Sequence, residues 1–289
     1  MVILVGMAGV FLLKTKPKSP PSDMKTKEKS ATPFSYGDYA ELLSTYVDNR
    51  GRVPYYLIKN RPEKLAAFVR QLDWVDPKVY ETWNEKEKIA FWINAYNAAT
   101  LKAIIDHYPI STSLFGSVLF PKNSIRQIAG VWDKLQFPVM GKPVTLNEIE
   151  HEILRAKFSE PRIHVALVCA SMGCPPLRNE PFTGDRLDEQ LNDQAHRFLA
   201  DPQKFQIDRS QGQVLLSPIF DWYGEDFVKS YGTEERFLDH SRTERAVLNF
   251  VSRSLDEAGR EYLTKAKYQI QYLGYDWSLN EQPPVERIS

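Results

Sequence analysis

The chain has 289 residues, long enough for a substantial core, and its 37 lysines and arginines are balanced by 37 aspartates and glutamates. Zero formal charge creates no global field toward nucleic acid or an anionic membrane surface, so nucleic-acid binding is not expected. Two cysteines exclude a disulfide-rich scaffold; their C-x4-C spacing permits one bridge in an oxidising compartment, free thiols, or, as a much weaker signal, part of a zinc site.

In chain order, residues 1–13 open with the apolar run Val2–Leu13, shorter than the roughly 20 residues of a membrane-crossing helix. It reads as a signal h-region or an anchor-like segment and is a candidate membrane tether, although the basic n-region of a signal peptide does not precede it. Residues 14–33, rich in lysine and proline, read as a solvated linker. Together they lead us to expect an exported or membrane-tethered protein. One compact domain should follow over residues 34–280, with a polar tail at 281–289.

Ser35 is placed to cap a helix with Tyr36, Tyr39, Leu42, Leu43 and Tyr46 on one face, ending before Asp48–Gly51, and Asn60–Leu72 offers a second helix. The longest helix is expected from Glu85 to His107, opened by Asn84 and Glu87 at capping-box spacing. Its middle is apolar almost all round, so it should be the central buried helix. Within it, Asn94 and Asn97 lie three residues apart on one face, and their amides need partners. Either they fix loop backbone or they reach into a cleft as substrate-binding groups.

A hairpin is expected over residues 134–144 near Gly141, then a helix over Leu146–Phe158 with Thr145 and Glu148 as its capping box. His151 lies at the edge of that helix's packed face, beside Glu148, Glu150 and Glu152. Next comes Arg162–Pro176, R-I-H-V-A-L-V-C-A-S-M-G-C-P-P, whose apolar residues fall on both parities of a two-residue repeat. Such a pattern suits a strand covered on both faces, ending at Cys169 and leaving through a proline-fixed loop that holds Cys174. The fold class expected from these elements is α/β (α+β), a central buried helix packed on a small mixed or antiparallel sheet that contains Ile163–Cys169. Further on come a helix over Arg186–Leu199, a hairpin over Phe205–Leu216 and a segment Leu216–Phe227 bearing Asp221, Trp222, Tyr223, Glu225 and Asp226. Thr243–Leu255 completes the helices and Tyr268–Tyr272 forms a final strand.

Four stretches, H-x-A-L-V-C-A-x-x-G-C-P-P-L-R-N-E-P from His164, A-F-W-I-N-A-Y-N-A from Ala90, L-N-E-I-E-H-E-I-L-R from Leu146 and L-S-P-I-F-D-W-Y-G-E-D-F from Leu216, closely resemble the DUF547 family. The resemblance extends from about residue 34 to 280. It implies a domain of unknown function common in bacterial envelope-type proteins, and it brings no established reaction, cofactor or partner.

The sharpest chemistry in the residues themselves is a cysteine nucleophile, Cys169 or Cys174, activated by His164 or His151, in a hydrolase or acyl transferase. On an extended strand His164 and Cys169 differ in parity and stand about 16 Å apart at roughly 3.3 Å per residue, which forbids a dyad unless the strand ends early. Either histidine meets Cys174 if its loop folds back. In a papain-like arrangement the nucleophile stands at the start of the long helix, and no cysteine is there. Asp226 joins Asn94 and Asn97 as a candidate substrate-binding residue. The rival is a non-enzymatic envelope or interaction domain with a structural Cys169–Cys174 bridge. There is no Walker loop, dinucleotide glycine fingerprint, H-E-x-x-H or G-x-S-x-G, and neither a cofactor nor a metal is expected.

Overall fold

The structure is a computed structural model and describes residues 34–110 and 120–283. The apolar segment at 1–13, the linker at 14–33 and the last six residues of the expected tail lie outside the described residues. Among the described residues no helix is long and apolar enough to cross a membrane.

Helices α1 (Gly37–Tyr46), α2 (Tyr55–Asn60), α3 (Glu63–Trp74) and α4 (Pro77–Glu81) surround α5 (Glu85–His107). The capping box expected for α5 is formed in both directions: Glu87 N–H donates to Asn84 Oδ1 at 3.0 Å and Asn84 N–H to Glu87 Oε2 at 2.8 Å. From Ile89 to Ile105 almost every side chain is buried, including Phe91, Trp92 and Ile93. Fully burying one such large apolar side chain contributes roughly 1.5–3 kcal/mol, so α5 is the axis of the first core. Trp92 keeps its polar end satisfied through Nε1–H to Tyr80 Oη at 2.9 Å.

Strands β1 (Phe137–Val139) and β2 (Lys142–Val144) form the expected hairpin, Phe137 opposite Val144, turning at Met140 and Gly141. Thr145 and Glu148 cap the next helix reciprocally, at 2.6 and 3.1 Å. This helix differs from expectation in its winding: α6 (Glu148–Arg155) is a π-helix.

The larger correction concerns Ile163–Cys169, which belong to no sheet. Pro161–Val165 is a turn of 3-10 helix, and the chain then runs through Ala166–Cys169 to Ala170, whose φ of 57° is left-handed. Burial was legible there, since Ile163, Val165, Leu167 and Val168 are all buried, but the backbone is satisfied without a ladder. Asn97 Nδ2–H donates to Ala166 O at 3.1 Å, and Val168 N–H donates to Asn97 Oδ1 at 2.9 Å.

Helix α7 (Leu187–Leu199) packs on the 3-10 turn. Strands β3 (Phe205–Asp208) and β4 (Gln213–Leu216) pair antiparallel, and β5 (Gln269–Tyr272) adds parallel to β4, so the three-stranded sheet is mixed. Helices α8 (Ile219–Trp222), α9 (Gly224–Tyr231), α10 (Arg242–Ser252) and α11 (Glu257–Lys265) accompany it. A second core of Phe198, Leu216, Phe220, Phe227, Val247 and Phe250 lies under these elements. The molecule is therefore a mixed α/β fold with two small sheets and a central buried helix.

Beyond β5 the chain returns across the cysteine loop. Met172 N–H donates to Ser278 O and Gly173 N–H to Asp276 O, both at 2.7 Å; Ser171 bridges Leu279, and Glu281 bridges Val53. A Cβ added at Gly173 would lie 2.7 Å from the ring carbons of Tyr275, so only glycine lets that ring approach.

Candidate functional site

A cleft of about 430 Å³ lies beside the cysteine loop, within the size range of small-molecule sites. Both sulfurs, both candidate histidines, the buried carboxylate of Glu150 and the cation Arg126 line it, and most of the remaining wall is aromatic. All four side chains proposed as catalytic, Cys169, Cys174, His164 and His151, thus face one space. The spacing argument against His164 and Cys169 fails because the segment between them is a 3-10 turn and a bend rather than an extended strand.

His164 is buried and held on three sides. Its Nε2 lies 2.7 Å from Asp226 Oδ2, its ring stacks on Tyr223 with centroids 4.0 Å apart and planes 13° apart, and Phe227 tilts toward it at 6.2 Å. Asp226 is in turn gripped by Arg155, Nε–H to Oδ2 at 2.6 Å and Nη2–H to Oδ1 at 3.0 Å. Burial alone would raise the Asp226 carboxyl; hydrogen bonds from His164 and Arg155, with the Arg155 charge, hold it well below the usual carboxylate range. An ionised carboxylate only accepts, so Nε2 carries the hydrogen. Burial lowers the His164 pKa, against the opposing pull of Asp226, so the ring is neutral at pH 7 and Nδ1 is its unprotonated nitrogen.

The Glu150 carboxylate acts on the hydroxyls of Tyr96 and Tyr223. Burial and this carboxylate raise both tyrosines far above the ordinary phenol value. His151, exposed on the next residue of α6, accepts from Arg155 Nη1–H through Nδ1 at 2.9 Å.

Cys169 and Cys174 are joined by a disulfide. Tyr275 Oη is 3.2 Å from each sulfur, Ser171 Oγ is 3.3 Å from Cys169 Sγ and 3.4 Å from Cys174 Sγ, and Cys169 N–H points at Cys174 Sγ at 2.9 Å. Cys174 is buried and Cys169 half-buried. Among the described residues no hydrogen bond joins either histidine to either sulfur in this oxidised form.

The candidate substrate-binding residues stand elsewhere. Asn94 clamps Phe182, Nδ2–H to O at 2.7 Å and N–H to Oδ1 at 3.0 Å, and Asn97 clamps Ala166 and Val168; neither lines the cleft. Asp226 stands behind His164 as its partner and does not line the cleft either. Among the described residues no group of three or more His, Cys, Asp or Glu side chains is placed to hold a metal ion.

Residues 80–199 match the family model described as "Protein of unknown function, DUF547". The chain carries a DUF547 region. No curated protein and no solved structure matches the chain. The DUF547 region holds α5, Glu150, His151, Arg155, His164 and both cysteines, whereas Tyr223 and Tyr275, which complete the cleft, and Asp226, which stands behind His164, come from beyond it. Tyr275 and Trp277 were not anticipated as site residues; the aromatic pair Y-D-W in an otherwise polar terminal stretch is the signal that marks them. Arg155 had no such signal, because its role depends on Asp226, 71 residues away.

Proposed function

We propose that this protein is a cysteine-dependent hydrolase or acyl transferase, latent while Cys169 and Cys174 are bonded to each other. The supporting observation is that the two sulfurs and the His164–Asp226 pair, brought from separate stretches of chain, line or flank one cleft with a neutral imidazole at its wall. That is the logic of a nucleophile, a base and an orienting carboxylate. A thiol reductant first delivers two electrons and two protons to the S–S bond. The freed loop then lets one thiol pass its proton to His164, the thiolate attacks an acyl carbonyl, and the imidazolium returns the proton to the leaving group. Water or a second acceptor releases the acyl group from sulfur. Tyr275 and Ser171 supply hydroxyl donors to the thiolate.

The proposed location is outside the cytoplasm or on a membrane, supported by the apolar start Val2–Leu13 and by a disulfide, which persists in oxidising compartments. The same bond favours a second reading, a non-enzymatic domain whose bridge fixes the loop. The two separate on p-nitrophenyl acetate, followed by absorbance and by intact-protein mass. The enzyme reading expects an acetyl adduct on one cysteine and turnover that needs reductant and falls at least about 100-fold when that cysteine is replaced by serine. Equal turnover by the oxidised protein, or by the double cysteine-to-serine variant, favours the second reading.

A further inference from the structure

On the other side of the cysteine loop lies a second cleft of about 530 Å³ that shares Cys174 and Pro175 with the first. Its charged lining is one-sided: Arg50, Arg52, Arg197 and Lys204 against the single carboxylate of Asp201. In a chain with 37 positive and 37 negative side chains this local excess is a property of the cleft and not of the composition.

Among the described residues none of the three arginines is in an ion pair. Asp48, the nearest carboxylate in sequence to Arg50 and Arg52, uses Oδ1 to accept their backbone N–H groups at 2.9 and 2.8 Å, and neither guanidinium has a partner among the described residues. Arg197 gives one Nη2–H to Asn49 O at 2.8 Å and forms no ion pair among the described residues. Lys204 is buried, its ammonium bonded among the described residues only to Met172 O. With one acceptor the ammonium has donors left for a ligand, and the charges of Asp201 and Asp276 only partly offset its burial. The wall is firm. Gly51, at φ 74°, touches the cysteine loop so closely that a Cβ would lie 2.5 Å from Leu177 N and 2.6 Å from Pro176 Cα.

We propose that this cleft binds the phosphate group of a small molecule, with Arg50, Arg52 and Arg197 supplying forked N–H donors and Lys204 a point charge from below. Planar guanidinium forks match the oxygens of a tetrahedral dianion, and charge-assisted bonds of this kind are the strong ones. The volume lies in the range of sites for small molecules. The assignment is independent of the thiol chemistry, because it needs neither a reduced cysteine nor His164.

The test is calorimetric titration of the full chain, disulfide intact, with sodium pyrophosphate as probe and sodium chloride at matched ionic strength as blank. Saturable one-to-one binding is expected, weakened at least about tenfold in the Arg50→Gln, Arg52→Gln double variant and within about twofold of normal in Arg126→Gln, which changes the first cleft. Circular dichroism of each variant checks folding, and Arg197→Gln alone, also expected to weaken binding, decides the matter if the double variant does not fold. No saturable heat, full affinity in the cleft variants, or an equal loss in Arg126→Gln would overturn the assignment.

Discussion

Asn97 uses both ends of its amide on the backbone of Ala166 and Val168, and Asn94, one turn earlier in α5, does the same with both backbone groups of Phe182. Each clamp replaces hydrogen bonds that a sheet ladder would have made, so the two amides are what lets an irregular segment lie buried against α5. Asn97→Ala strands a buried carbonyl and a buried N–H at about 1–3 kcal/mol each, and the expected loss is roughly 2–5 kcal/mol. Urea unfolding measures it, and a loss under about 1 kcal/mol would mean that water or a shifted loop takes the amide's place. The sequence identified these residues as amides in need of partners on a buried helix face. It could not show the direction of the bonds, because the partners sit 69 to 88 residues away.

At the scale of elements, the capping boxes at Asn84–Glu87 and Thr145–Glu148, the hairpin at residues 137–144 and the existence of the strand Gln269–Tyr272 were all legible because each is encoded by neighbouring residues, whereas that strand's parallel pairing with β4 was not. The 3-10 turn at Pro161–Val165 was not. A run buried on every side carries no period to distinguish strand from turn, and the conformation there is set by the distant Asn97. That turn, the π-wound α6 and the start of α9 meet at His164, Arg155 and Asp226, and their junction has a pH signature. The native pKa of His164 is depressed by burial, so below the unfolded value of about 6.5 the unfolded chain binds more protons than the native one. Stability from this group is therefore complete above about pH 6.5 and is lost as pH falls through the lower native value. Asp226, depressed from a far lower starting point, adds its loss only below about pH 4, leaving roughly pH 5–7 to report on the imidazole. Urea midpoints across that window should fall with acidification in the wild type and flatten in His164→Gln; parallel curves would contradict the link.

For the whole molecule, the candidate site is a product of chain return. Two sulfurs from the loop after the 3-10 turn, a carboxylate from α9 and a phenol from beyond β5 converge over α5, and Tyr275 reaches the sulfurs only because residues 276–279 bond back across the cysteine loop. The sequence indicated the loop and its histidines, while the aromatic cover from the terminal stretch needed the tertiary path. The central claim is that the freed thiol and the His164–Asp226 pair act as one unit. It is tested most directly by the rate of iodoacetamide alkylation of the reduced protein as a function of pH, in wild type and in His164→Gln. The account predicts that one cysteine ionises well below the ordinary thiol value of about 8.5 and that His164→Gln moves it back toward that value. Two thiols titrating near about 8.5 in both proteins would contradict it.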